Sequence, residues 1–171
     1  MAELTPSERL QPSLLDRLTD EEPEKGVESR DRRVLSLPRL RESVLRDLGW
    51  LLNTCHLAQT EDLSDYPHVA NSVLNYGVPD YAGATMSGAD LVRLERAMRQ
   101  AILDFEPRIL RNSLRIRANI DPESMTHNAL TFEIEGELWS QPLPERLYLR
   151  TQIDLESGHT QVDDDTGRGG G

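Results

Sequence analysis

Hydrophobic positions change their period partway along the chain, and the change predicts an α+β fold. Leu37, Leu40, Val44, Leu48, Leu51 and Leu52 recur at the roughly 3.6-residue spacing of one helix face, with Pro38 suited to a first turn. Leu91, Leu94, Met98, Ile102 and Phe105 form a second such stripe, and Ser87 with Asp90 approximates a capping box at its start. Between them, residues 67–75 read as a short helix that opens on a proline and stops before Gly77 and Pro79. After Arg111 the period drops to two. Leu114, Ile116, Ala118 and Ile120 alternate with Arg115, Arg117 and Asn119; Leu130, Phe132, Ile134, Gly136 and Leu138 with Thr131, Glu133, Glu135 and Glu137; and Leu147, Leu149, Thr151 and Ile153 with Tyr148, Arg150, Gln152 and Asp154. The predicted fold is three main helices on one face of a small antiparallel meander, in which the middle-strand glutamates fall between arginines on either side. Its outer strands, 112–121 and 146–155, would leave edges able to accept a strand from another chain.

The same pattern sets the domain limits. Residues 1–33 are polar and carry the acidic run Asp20-Glu21-Glu22-Pro23-Glu24, so they read as a flexible extension. Leu10, Leu14, Leu15 and Leu18 are the exception, since their spacing gives a short helix at 13–19 one apolar face. That helix either docks a partner or folds back on the domain. Residues 34–155 hold the α+β domain, and 156–171, with Asp163-Asp164-Asp165 and a glycine-rich end, read as a disordered tail. Trp50 falls outside the apolar arc of its helix, among Arg39, Glu42, Ser43 and Arg46. A tryptophan there is covered by another part of the chain, which is the expectation, or offered to a partner.

Composition excludes several function classes. At 171 residues the chain has room for one core, and no basic start followed by an apolar run marks a leader or a membrane span, so a cytoplasmic protein without direct membrane insertion is expected. A net charge of −11 argues against a nucleic-acid partner. Cys55 is the single cysteine and reads as a small core residue. The scattered His56, His68, His127 and His159 give no zinc spacing, and neither a phosphate-cradling glycine loop nor a Gly-x-Ser-x-Gly elbow is present, so neither cofactor nor metal is expected.

The most informative junction is Glu106-Pro107-Arg108. Pro107 stops the preceding helix near Phe105 and holds Glu106 outside it; in an extended segment Glu106 and Arg108 then share a face. They either close the helix end as an internal salt bridge or present an acid and a base to a neighbour. The stretch Leu103-Asp104-Phe105-Glu106-Pro107-Arg108-Ile109-Leu110 resembles the Glu-Pro-Arg signature of the baseplate wedge family shared by contractile phage tails and type VI secretion systems. Asn71-Ser72-Val73-Leu74-Asn75-Tyr76-Gly77-Val78-Pro79-Asp80-Tyr81 resembles the Asn-Tyr-Gly-x-Pro-Asp segment of its secretion branch, the TssE proteins. The helix from Arg39 to Asn53 and the Ser13-Leu14-Leu15-Asp16-Arg17-Leu18 box match in the same order, so the resemblance spans about 13–155.

The resemblance implies a structural subunit that joins the wedge to the first ring of contractile sheath and templates sheath polymerisation. Its implied partners are TssF and TssG, TssK through them, and the sheath proteins TssB and TssC, in a baseplate docked at an inner-membrane complex. Expected partner-binding residues are Glu106, Pro107, Arg108, Trp50, Leu14, Leu15 and Leu18. Relatives have carried a lysozyme-like label, so the alternative is a peptidoglycan-cleaving hydrolase. That chemistry needs two carboxyls about 5–5.5 Å or about 6.5–9.5 Å apart across a sugar cleft. Asp104 and Glu106 are the candidates, but Arg108 beside Glu106 favours the ionised form, the reverse of what a general acid requires.

Overall fold

The computed structural model describes residues 13–19, 24, 36–82, 88–119, 129–140 and 143–165. Its helices are α1 (Leu14–Leu18), α2 (Leu37–Leu52), α3 (Pro67–Ala70) and α4 (Gly88–Phe105), followed by strands β1 (Arg115–Asn119), β2 (Ala129–Leu138), β3 (Glu145–Asp154) and β4 (Thr160–Asp164). Ser36 caps α2 by accepting from Arg39 N, and Asn53 closes its other end. Ser87 and Ile120 lie outside the described residues. The third expected helix is a single turn, α3, followed by a 3-10 turn at Val73–Asn75. Side chains there bond locally, Asn71 Nδ2 to Pro67 O and Ser72 Oγ to Val69 O, which competes with continuing the helix.

The strands form one antiparallel sheet in the order β1-β2-β3-β4. Phe132, Ile134, Leu147, Leu149 and Ile153 are buried beneath α2 and α4, against Val44, Leu48, Met98 and Ile102. The register sets Arg117 opposite Glu133, Glu133 opposite Arg150, and Glu137 opposite Arg146, as the alternation predicts. Leu37 departs from the expected arc and is exposed, because the first turn of α2 begins before the core does. Cys55 also departs. It is exposed, in a short parallel bridge with Val78 rather than in the core.

The main difference is β4. The expected tail from 156 onward instead turns at Gly158, with φ of +72°, and pairs with β3 from Thr160 to Asp164. Apolar burial does not drive this strand. Asp154 shapes the turn, its Oδ1 accepting from the Glu156 and Ser157 amides, and the strand is then tied to β3 on one side and to Asn53 on the other. Asn53 Oδ1 accepts from Thr160 N at 2.9 Å, while its Nδ2 donates to Thr160 O at 2.7 Å. The strand 146–155 is therefore internal, and the sheet edges are β1 and β4. Replacing Asn53 with Ala leaves both buried Thr160 backbone groups unpaired, so an expected loss of about 1–3 kcal/mol should appear in denaturant unfolding, together with faster amide exchange at Thr160.

Candidate functional site: an ion ladder joining the Glu-Pro-Arg turn to α2 and α1

Pro107 ends α4 as expected: Glu106 N makes the last helical bond, to Ile102 O at 2.8 Å, and Ile109 N closes the turn on Glu106 O at 3.2 Å. The turn brings the Arg108 guanidinium back onto the Glu106 carboxylate. Arg108 Nε donates to Oε1 at 2.6 Å, a terminal nitrogen donates to Oε2, and the Arg108 amide also donates to Oε1 at 3.1 Å. Such a forked pair is among the stronger charge-assisted arrangements. Glu106 is only 3% exposed, so the internal salt bridge is the arrangement the turn adopts.

The guanidinium reaches further, into α2. One terminal nitrogen donates to Asp47 Oδ2 at 2.5 Å and the other to Ser43 Oγ at 3.0 Å. Ser43 and Asp47 are one helical turn apart on α2 and so share a face. The other Asp47 oxygen, Oδ1, accepts from Arg46 Nε at 2.9 Å and Nη2 at 2.8 Å. Arg46 in turn donates to Asp16 Oδ1 at 2.7 Å, which ties α1 to α2. Glu106, Arg108, Asp47, Arg46 and Asp16 thus alternate in sign from the buried turn out to the N-terminal helix. Burial opposes the charge on Arg108, but Glu106 and then Asp47 outweigh it and raise its pKa. Burial also opposes the Arg46 charge, and Asp16 and Asp47 raise its pKa in the same way.

Tyr76, from the Asn-Tyr-Gly segment, lies beside this ladder with its ring edge-on to Phe105 at 5.1 Å. Burial raises the pKa of its hydroxyl, and the Asp47 and Glu106 charges raise it further. Gly77 makes this placement feasible. Its φ is +125°, and a Cβ there would meet Thr54 O at 2.2 Å. The close approach lets Val78 N donate to Thr54 O at 2.8 Å and His56 N to Val78 O at 3.1 Å, binding the segment to the end of α2.

At its outer end the ladder supports an apolar surface. The Arg46 guanidinium lies 5.1 Å from the Trp50 ring centroid, and Trp50 is 52% exposed. The expected cover from elsewhere in the chain is not found among the described residues; the ring rests beneath one side chain of its own helix. On α1, Asp16 turns inward while Leu14, Leu15 and Leu18 remain exposed. α1 therefore does both things the sequence left open, folding back through its charge and presenting its apolar side. Ser13 completes it: its hydroxyl accepts from Asp16 N at 3.3 Å and donates to Asp16 Oδ2 at 2.6 Å. Pro107 is exposed at the turn.

Partial burial works against ionisation of Asp16, but the Ser13 hydroxyl and Arg46 outweigh it and hold the carboxyl below its ordinary value. A depressed folded pKa contributes stability that is complete above the unfolded value near ~3.9 and is lost as pH falls through the folded value. The α1 contact should therefore be complete at neutral pH, begin to weaken only below the unfolded value and open as pH falls through the lower folded one. Amide exchange at 13–19, followed across that range, checks it.

The hydrolase pair is not assembled. Both Glu106 oxygens are engaged by Arg108, while Asp104 is exposed and accepts from Gln100 Nε2 at 2.9 Å on each oxygen. Among the described residues no three His, Cys, Asp or Glu side chains converge as a metal site, and no helix is long and apolar enough to cross a membrane. Sequence reasoning passed over Ser43, Asp47 and Tyr76 as site residues. A serine and an aspartate one turn apart at the border of an apolar arc were the available signal.

Comparison with known proteins places the fold and the family. A protein of Geobacter sulfurreducens described as a tail lysozyme has a similar fold, with a TM-score of 0.50 and 18% identity over 71% of this chain and 96% of its own. No curated protein matches the chain. The profile of the family described as baseplate wedge protein gp25 matches residues 38–143, which include α2 from its second residue, Tyr76 and the Glu106-Pro107-Arg108 turn. The chain belongs to the baseplate wedge protein gp25 family, whose members are structural parts of phage-tail-like baseplates.

Proposed function

We propose that this subunit serves in the baseplate of a type VI secretion system, linking the wedge to the first ring of contractile sheath and setting the register from which the sheath polymerises. The Asn71-to-Tyr81 segment supports the secretion branch over a phage particle. The role is one of geometry rather than hydrolysis, since the only carboxylate at the turn is neutralised in place. One observation carries the reading: an internally paired ladder ends in an exposed Trp50 under Arg46, flanked by the exposed leucines of α1. Tryptophan and arginine dominate the anchors of protein interfaces. TssF and TssG are the partners assigned to that surface, with TssK reached through them, and TssB and TssC to the sheet. The assembly sits in the cytoplasm against the inner-membrane complex.

The test is co-purification with TssF and TssG of wild type, Trp50→Ala and Leu14→Ala/Leu18→Ala, all checked for folding by circular dichroism. Each variant should lose about tenfold or more of the complex while remaining folded. Recovery of both at the wild-type level removes this surface from the interface. If wild type itself fails to bind TssF and TssG, the secretion-system assignment falls.

A further inference from the structure

Between α2 and Tyr76 the chain builds a surface with polar bonds instead of a core. Residues 57–75 run through a 3-10 turn at Leu57–Gln59, α3 and the turn at Val73–Asn75, and none of them is buried. Asn75 holds the three pieces together: its Oδ1 accepts from Ala58 N at 2.9 Å, and its Nδ2 donates to Ala70 O at 2.9 Å. Leu57, Tyr66, Val73 and Leu74 all stand exposed on this frame. Val73, at 78%, is the most exposed large apolar side chain among the described residues, and its neighbour Leu74 is 68% exposed. These side chains add nothing to the packing of the domain. Covering them with another molecule removes their apolar area from water, which is the usual meaning of such a patch.

Charge narrows the choice of partner. Residues 47–92 contain neither lysine nor arginine. Of the acids in that span, Asp47 is paired with Arg46 and Arg108, and Asp90 with Arg93. Glu61 and Asp65 are exposed beside the apolar side chains, and neither is in an ion pair among the described residues. This single sign of charge opposes an anionic lipid surface and a second copy of the same face, and it favours a cationic protein. The backbone narrows the choice further. Tyr66 N, Val69 N and Asn75 N donate to Leu63 O, Tyr66 O and Ser72 O within their own turns, and the segment contains no strand. An extended occupant would find no ladder here for its own N–H and C=O groups, whereas a helix satisfies them internally and offers only side chains.

We propose that residues 57–75 are a docking surface for a basic amphipathic helix of another protein, whose apolar stripe covers Leu57, Tyr66, Val73 and Leu74 while its lysines or arginines reach Glu61 and Asp65. The surface lies on other elements than Trp50 and α1, and it does not rest on the secretion-system reading.

The experiment titrates the folded, ¹⁵N-labelled full chain with two blocked helical peptides that share one leucine stripe, the first carrying lysine and the second glutamate at the remaining positions. The lysine peptide should shift the amides of residues 57–76 and the glutamate peptide should not. Val73→Ser/Leu74→Ser, whose side chains bear no load in the core, should weaken the lysine peptide at least about tenfold with the amide spectrum of the sheet unchanged. Glu61→Lys/Asp65→Lys should turn the preference toward the glutamate peptide. Trp50→Ala should leave the affinity as it is. The acidic run Asp163-Asp164-Asp165 provides an internal comparison, because charge without an apolar patch would draw the lysine peptide there equally. Equal shifts at 163–165, an equal response to both peptides, no response to the serine variants, loss of binding in Trp50→Ala, no shift at millimolar peptide, or self-association of the chain in place of peptide binding would each overturn the proposal. Co-purification with TssF and TssG bears on the functional reading alone, so the two can fail separately.

Discussion

Arg108→Ala is expected to destabilise the fold by about 3–5 kcal/mol, because it leaves the Glu106 carboxylate buried with its cation removed. Asp47 loses a partner in the same substitution and Ser43 loses its donor. The size comes from the penalty of an uncompensated charge, which is larger than the net worth of the pair. Glu106→Leu/Arg108→Met should therefore recover much of the loss, since it removes both charges and keeps comparable volume. Urea unfolding of the two variants beside wild type makes the comparison. A mild Arg108→Ala, within about 1 kcal/mol of wild type, would mean that water reaches Glu106 and that the pair acts as a surface salt bridge.

Gly77→Ala should be the second severe substitution. The backbone strain of a side chain at a φ of +125° costs roughly 1–3 kcal/mol, and the added Cβ would lie 2.2 Å from Thr54 O, a backbone atom that cannot turn aside. Relief requires the 76–78 segment to move off the end of α2, which breaks the bridge between Cys55 and Val78. Tyr76 would move with it, away from Phe105. A drop in melting temperature accompanied by altered aromatic side-chain resonances of Tyr76 and Phe105 is the expected signature. By contrast Gly49 has open space around its Cβ position, so Gly49→Ala serves as the control and should be neutral or slightly stabilising in the helix.

The parts of this fold legible in the sequence were those governed by period and by covalent restriction. The stripes of α2 and α4, the alternation of β1 to β3 and the stop at Pro107 each follow from a rule that acts within one segment, and each stands in the structure. β4 was not legible because its stability comes from elsewhere. Asn53, more than a hundred residues upstream, supplies the hydrogen bonds that its own few apolar side chains could not replace. Cys55 was misread for a related reason: small and apolar by type, it sits in a backbone bridge that points it outward. At the site, the internal pairing of Glu106 with Arg108 was visible as one of two readings. The continuation through Asp47 to Arg46 and Asp16 depends on how α1 and α2 come together, and no local pattern encodes that.

Arg108 belongs to both halves of the molecule at once. Its side chain is held by Glu106 and α2, while its backbone carbonyl accepts from Trp139 N at 2.7 Å, just beyond the end of β2. Next to it Leu110 N donates to Glu137 O at 2.8 Å, so the turn runs into the sheet with no slack between them. A pull exerted on α1 or Trp50 is delivered through Arg46 and Asp47 to this residue and from it directly to β2. That short path, rather than the strength of any one contact, ties the orientation of the sheet to that of the helical surface.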